Sequence, residues 1–130
     1  MTQEQKDLLI KDLCARLPYF TKVQIKNEIV VLDSICDDDG YHFNFIGDDR
    51  EGVNIENIKP YLFPLSSMSE DLTNELYTNL TELELKAIND EIEHSAVSEF
   101  EIDFYHKHHI DYRGLIPMEL ANDATGLNIY

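Results

Sequence analysis

Apolar positions in the first seventeen residues recur with the period of an α-helix. Residues 2–5 fit a capping box, in which a threonine hydroxyl accepts a hydrogen bond from a backbone amide and a glutamine side chain reaches back. Pro18 disfavours helical backbone at Leu17. The pattern therefore predicts a helix over residues 3–16. Its apolar stripe consists of Leu9, Ile10, Leu13, Cys14 and Leu17.

After this helix, apolar residues recur every two positions instead of every 3.6 positions. Residues 22–26 and 41–45 alternate, and residues 29–36 are rich in β-branched side chains, so each segment is predicted to be a strand. Asp39-Gly40 is a strong hairpin signal because both residues tolerate positive φ. A further short strand is predicted over 53–55. Pairing across the hairpin sets Val30, Leu32 and Cys36 on the same face as Tyr41, Phe43 and Phe45.

The second half of the chain returns to helical spacing. Pro60 and Pro64 predict an extended segment over 58–65. Serine caps precede a helix that begins near Glu70, and its continuation through 84–93 is left open. A last helix begins near Ser95. Its apolar stripe is Val97, Phe100, Phe104 and His108.

Together these elements predict an α+β fold in a single compact domain over residues 1–130. We expect an N-terminal helix, an antiparallel meander of three or four strands, and two or three C-terminal helices. Each element has one apolar side, so one shared core is expected. Its predicted members are Leu13, Phe43, Phe45 and Phe104.

Composition changes this picture mainly through charge. The chain has 130 residues, is 43% hydrophobic, and carries a formal net charge of −16. The hydrophobic content excludes a disordered acidic tail, and the charge argues against direct binding to nucleic acid or to an anionic membrane. No apolar run approaches the length of a membrane span. The acidity lies in two blocks: residues 27–56 have a net charge of −8 and residues 70–103 a net charge of −10.

The two cysteines, Cys14 and Cys36, lack the spacing of a zinc or redox motif and are too few for a secreted disulfide scaffold. We expect two buried free thiols and a reducing, cytoplasmic setting. Residues 1–12 show no signal-peptide core.

Three segments resemble a family of short uncharacterised proteins from gut bacterial genomes and their phages or mobile elements. They are residues 11–19 (KDLCARLPY), 58–69 (IKPYLFPLSSMS) and 109–116 (HIDYRGLI). The resemblance covers about a quarter of the chain and has no activity attached to it. It implies a bacterial or phage cytoplasmic setting.

Histidines and carboxylates are concentrated in residues 99–111. Glu99, Asp103 and His106 are spaced i, i+4, i+7 on the predicted helix, and His109 follows. This chemistry suits zinc, iron or manganese. The chain has no HExxH motif, so we predict no metal and no cofactor. Asp103, His106 and His109 are kept as weak metal candidates.

Asp111-Tyr112-Arg113-Gly114 is the most specific motif in the sequence. Arg113 either recognises a phosphate or carboxylate or is held within the protein by Asp111, by carbonyls or by an aromatic face. We favour the structural role, in which Gly114 turns the chain away from the helix.

The sequence contains no nucleophile motif and no phosphate-binding loop. We therefore expect a non-enzymatic, acidic domain whose partner is a protein, in a phage or mobile-element setting. One alternative is an acidic nucleic-acid mimic that inhibits a host DNA-binding factor. Another is a small metal-dependent hydrolase that uses the 99–111 cluster.

Overall fold

The computed structural model describes all 130 residues and confirms the α+β class, with an N-terminal helix, a mixed six-stranded sheet and two C-terminal helices. The helices are α1 (Gln3–Arg16), α2 (Glu70–Ile88) and α3 (Ser95–Lys107). The strands are β1 (Lys22–Ile25), β2 (Glu28–Asp37), β3 (Tyr41–Phe45), β4 (Lys59–Pro64), β5 (Ile110–Asp111) and β6 (Asn122–Asp123).

Helix α1 begins and ends where the sequence predicts. The Thr2 hydroxyl accepts a 3.1 Å hydrogen bond from the Gln5 amide, and the Gln5 side chain completes the capping box. The predicted stripe is wrong at Cys14, which is exposed, as is Cys36. Instead, Asp12 and Arg16 are buried beside the apolar residues Leu9, Ile10 and Leu13. The buried face of α1 therefore includes the side of the helix that carries these two charged residues.

Strands β1, β2 and β3 form the predicted antiparallel meander, but the register is wrong at Cys36. A bulge at Asp33 shifts the pairing between Leu32 and Ser34. Ile35 therefore pairs with Phe43, and Cys36 pairs with His42. A single inserted residue exchanges the two faces of a strand, which is why Cys36 lies outside the core.

The meander does not continue after β3. Residues 53–55 are not a strand, and a 3-10 turn over Ile55–Asn57 leads instead to β4. β4 pairs antiparallel with β1, so the strand order is β3-β2-β1-β4-β5. β5 and β6 are two-residue strands that pair parallel to β4, a mixed topology that alternation alone does not predict.

The core is divided into two clusters. The main cluster lies between α1 and the sheet and includes Leu13, Phe43 and Phe45. Phe104 is not part of it, contrary to the single-core prediction, and packs with Leu76 and Leu80 between α2 and α3. None of the three helices combines the length and apolar content needed to cross a membrane.

Candidate functional site

The segment after α3 carries the Asp-Tyr-Arg-Gly motif into the interior. Asp111 is buried, and its two carboxylate oxygens accept hydrogen bonds from the amides of Leu115 (2.9 Å) and Ile116 (2.8 Å). Gly114 has a φ of 77°, a left-handed conformation that glycine adopts without a steric penalty. Asp111 and Gly114 therefore fix the turn that positions their two neighbours.

Arg113 pairs with Asp12 rather than with Asp111. Its Nε lies 3.1 Å from Asp12 Oδ1, while Arg16 Nε lies 2.8 Å from Asp12 Oδ2. Asp12 and Arg16 are fully buried, and Nη2 of Arg16 also donates to the carbonyl of Ile110 at 2.7 Å. One carboxylate thus joins two guanidinium groups across α1 and the 110–116 segment.

Tyr112 completes this arrangement. The guanidinium carbons of Arg113 and Arg16 lie 4.9 Å and 5.7 Å from the centre of its ring. Its hydroxyl shares a 2.7 Å hydrogen bond with Nε2 of His106, and its ring stacks on Tyr105 at 5.5 Å. We call these five residues the buried polar network: Asp12, Arg16, His106, Tyr112 and Arg113.

The network favours uncharged His106 and Tyr112. Burial, followed by the charge of Arg16, lowers the pKa of His106, and burial raises the pKa of Tyr112. Asp12 is the one carboxylate between two guanidinium groups, so the network keeps a net positive charge, and Nη1 of Arg16 is buried without a hydrogen-bond partner. This arrangement binds α1, α3 and the 110–116 segment to one another.

The three metal candidates lie in different environments. Asp103 is exposed on α3, His106 faces Tyr112, and the ring of His109 stacks on Tyr130 with centroids 3.7 Å apart. No group of three or more histidine, cysteine, aspartate or glutamate side chains is placed to hold a metal ion. The structure thus does not bring Asp103, His106 and His109 together.

His109 is nevertheless electrostatically unusual. Burial, with the nearby charge of Arg16 as the next cause, lowers the pKa of His109 to about 4. Its Nδ1 is buried without a hydrogen-bond partner. The stacked Tyr130 accepts a hydrogen bond from the Lys22 amide (2.9 Å) and donates one to the Tyr61 carbonyl (2.8 Å). His109 therefore lies where α3 meets the sheet.

Sequence reasoning missed Asp12 and Arg16, which it assigned no role. Their i, i+4 spacing is an available signal, because an aspartate and an arginine so placed on one helix can pair. The same spacing is common on solvated helix faces, so burial could not be read from it. Their partner Arg113 is about a hundred positions away in sequence.

A second feature is the pair formed by α2 and α3. α2 buries Leu76 and Leu80 against α3 but leaves three large apolar side chains exposed. Spacings of eight and eleven positions put them on one side of the helix. We call this set the α2 outer face: Tyr77 (63% exposed), Leu85 (57%) and Ile88 (70%).

Acidic residues surround the α2 outer face. Residues 70–103 contain eleven carboxylates and a single basic residue, Lys86. Lys86 lies 3.8 Å from Glu82, so its charge is locally compensated. The exposed apolar side chains therefore lie in a strongly negative region.

Residues 11–19 and 109–116 both contribute to the buried polar network, and residues 58–69 contact the second of these segments. Residues 11–19 supply Asp12 and Arg16, and residues 109–116 supply Tyr112 and Arg113. Residues 58–69 include Phe63, whose amide donates to the His109 carbonyl at 2.8 Å. Comparison of the chain with protein-family models, with curated proteins and with solved structures gives no match.

Proposed function

We propose that this chain is a non-enzymatic protein-interaction domain that binds its partner through the α2 outer face. Its setting, on this proposal, is the cytoplasm of a bacterium that carries phage or mobile-element genes. The observation that supports it is the exposure of Tyr77, Leu85 and Ile88 within an acidic surface. Large apolar side chains that are exposed on one side of a helix and bordered by polar residues are typical of helices that bind another protein.

The apolar side chains supply affinity. Covering Tyr77, Leu85 and Ile88 with a partner removes apolar area from water, at roughly 25 cal/mol for each Å². Tyrosine contributes most, because it offers a large surface with only two side-chain torsions to immobilise. Binding therefore depends on these three residues more than on any single carboxylate.

The surrounding carboxylates select the partner. A net charge of −10 over residues 70–103 attracts a basic surface and repels an acidic one. The proposed partner thus presents apolar side chains flanked by lysine or arginine, as one face of a basic amphipathic helix does. Its association is faster at low ionic strength, because the attraction is screened by salt.

A nucleic-acid mimic is the second candidate, and one observation favours it. Asp71, Glu75 and Glu82 are spaced i, i+4, i+11 on α2, so they form a line of charge along one side. A mimic acts through this line and has no need of exposed apolar side chains. The exposure of Tyr77 and Ile88 is the reason we prefer the protein-binding proposal.

Calorimetric titration tests the proposal with two synthetic helical peptides of identical apolar pattern. One has leucine and lysine, and the other has leucine and glutamate. We expect the wild type to bind only the lysine peptide. Replacement of Tyr77, Leu85 and Ile88 by alanine should weaken binding at least tenfold, and alanine keeps the helix intact. The matched control replaces three exposed apolar residues elsewhere: Phe20, Ile29 and Leu127.

Equal binding by the wild type and the α2 variant would overturn the proposal. The mimic is supported instead if the lysine peptide binds the alanine variant normally but loses affinity for a chain with Asp71→Asn, Glu75→Gln and Glu82→Gln. Circular dichroism of each variant checks that the helices remain folded.

A further inference from the structure

Strand β3 lies at the edge of the sheet, because it pairs only with β2. The Ile46 amide donates to the Val31 carbonyl on β2, whereas the Phe45 carbonyl accepts from Asp48 on the opposite side. Backbone groups alternate in direction along a strand. The N–H and C=O groups of Tyr41 and Phe43 therefore point away from β2.

These outward groups have no partner within the protein. None of the backbone hydrogen bonds outside the regular elements involves Tyr41 or Phe43, and no side chain bonds to their backbone. The segment 50–53 runs opposite β3 but makes no backbone hydrogen bond with it. Two donors and two acceptors thus face outward in the spacing that an added strand would satisfy.

A groove lies along this edge. It has a volume of about 440 Å³ between β3 and residues 50–53, and Val53 lines its far side. A second groove of about 340 Å³ shares Tyr41 and Phe43 and extends to Ile55. The lining is apolar at these four positions and mostly polar or charged at the others, so the groove suits an extended segment in which apolar residues alternate with polar ones.

The charges at the two ends of β3 limit which segments can bind in this groove. Residues 37–39 at one end of β3 are three aspartates, and residues 48–51 at the other end contain three carboxylates and Arg50. Arg50 is already paired with Asp48 and Glu28. A second copy of this chain would bring the same acidic ends into contact, and like charges across an interface are unfavourable.

We propose that the open edge of β3 binds an extended segment of a partner protein, with alternating apolar residues and flanking lysines or arginines. The added strand hydrogen-bonds to Tyr41 and Phe43, and its apolar side chains enter the groove. This site is separate from the α2 outer face and does not depend on the function proposed for it.

The probe is a synthetic peptide of alternating valine and threonine with two lysines at each end. Amide hydrogen exchange, followed by NMR on the full chain, is measured with and without it. We expect the amides of Tyr41 and Phe43 to become at least tenfold more protected, while those of α2 do not change. A peptide N-methylated at every valine and threonine, which has no backbone N–H group to donate from either edge of this segment, should give no protection.

Charge variants complete the test. Asp38→Asn, Asp39→Asn and Asp49→Asn together should weaken peptide affinity several-fold, and asparagine tolerates the positive φ of Asp39. The matched control neutralises three exposed carboxylates elsewhere: Glu84, Glu91 and Glu93.

The proposal is overturned by unchanged exchange at Tyr41 and Phe43, by equal binding of the N-methylated peptide, or by equal binding of a peptide with glutamates in place of lysines. Protection that rises with protein concentration alone would show a second copy at the edge, and it would also overturn the proposal.

Discussion

At the scale of single residues, the buried polar network is the most consequential part of this chain. Asp12 is the only carboxylate that contacts the guanidinium groups of Arg16 and Arg113. A buried ion pair need not stabilise a protein relative to an apolar replacement of both partners. Removal of one partner is different, because it leaves a buried charge without compensation.

The first prediction concerns Asp12. Asp12→Ala should lower the free energy of unfolding by about 3–5 kcal/mol, since both arginines lose the one carboxylate with which they pair. Urea denaturation followed by circular dichroism measures the change. Asp7→Ala is the control, because Asp7 is exposed on the same helix. A similar small effect of both substitutions would contradict the role given to Asp12.

The second prediction concerns Arg113. Arg113→Lys keeps a positive charge that can reach Asp12, but an ammonium group cannot lie flat against the Tyr112 ring. The free energy of unfolding should fall by about 1 kcal/mol, the size of one cation–π contact and the lost geometry. Identical urea midpoints for the two proteins would show that Arg113 is free for another role, such as ligand recognition.

The third prediction concerns pH. The pKa of His109 is lowered to about 4 in the folded protein, whereas an unfolded histidine titrates near 6.5. Between these values the unfolded chain binds a proton that the folded chain excludes. Stability therefore falls as the pH falls, by about 1 kcal/mol between about pH 7 and about pH 5.5.

Urea midpoints at these two pH values measure the effect. His109→Gln should reduce the pH dependence, although it also removes the stacking on Tyr130, so the slopes rather than the absolute stabilities are compared. His94→Gln, at an exposed position, is the control for replacing a histidine, and its slope is compared with that of His109→Gln. A wild-type protein that becomes more stable on acidification over this range would refute the assignment.

At the scale of elements, local signals predicted the helices and the antiparallel β1–β2–β3 meander, but not the pairings of β4, β5 and β6. The capping box at Thr2 and the Ser69 cap, whose hydroxyl accepts from the Leu72 amide, fix the starts of α1 and α2 within a few residues. Pro18 ends α1 through its effect on the preceding residue. These signals need only neighbouring residues, which is why the sequence contains them.

The sheet shows why the rest was not predictable. The bulge at Asp33 has no local signature, and it displaces Cys36 from the face that alternation assigns to it. The parallel pairing of β4 with β5 joins Phe63 to Ile110, and only tertiary packing specifies such a contact. The same holds for the candidate site, since Arg113 was singled out by its motif but its partner Asp12 could not be named.

The fourth prediction follows from the division of the core. Phe43 lies in the main cluster and Phe104 in the cluster between α2 and α3. Phe43→Leu and Phe104→Leu should each cost about 1 kcal/mol, and the double variant should equal their sum within about 0.5 kcal/mol. A double-mutant cycle by urea denaturation measures whether the two effects add.

Ile35→Ala combined with Phe43→Leu is the positive control, because these residues are cross-strand partners and should couple. Coupling of Phe43 to Phe104 beyond about 0.5 kcal/mol would restore a single core.

At the scale of the whole molecule, the contacts that hold the elements together lie in the interior, whereas the acidic blocks lie around the proposed binding surfaces. The main cluster joins α1 to the sheet, and the buried polar network joins both to α3. Helix α2 is attached chiefly through its packing on α3. The first acidic block, residues 27–56, covers the β2–β3 hairpin and the segment that follows it, and the second, residues 70–103, covers α2 and most of α3. Carboxylates therefore border each proposed binding surface.

The fifth prediction is that sodium chloride stabilises this protein. A net charge of −16 repels itself most strongly in the compact state, and salt screens that repulsion. Raising the salt from about 10 mM to about 300 mM should raise the melting temperature by about 3–5 °C, which corresponds to about 1 kcal/mol for a chain of this size. A variant with Glu84→Lys, Glu91→Lys and Glu99→Lys should respond less, because it carries less charge to screen. The buried Asp12–Arg16 pair is shielded from solvent ions and should not oppose the effect. A melting temperature that falls with salt would instead mean that exposed pairs such as Lys6–Glu56 outweigh the general repulsion.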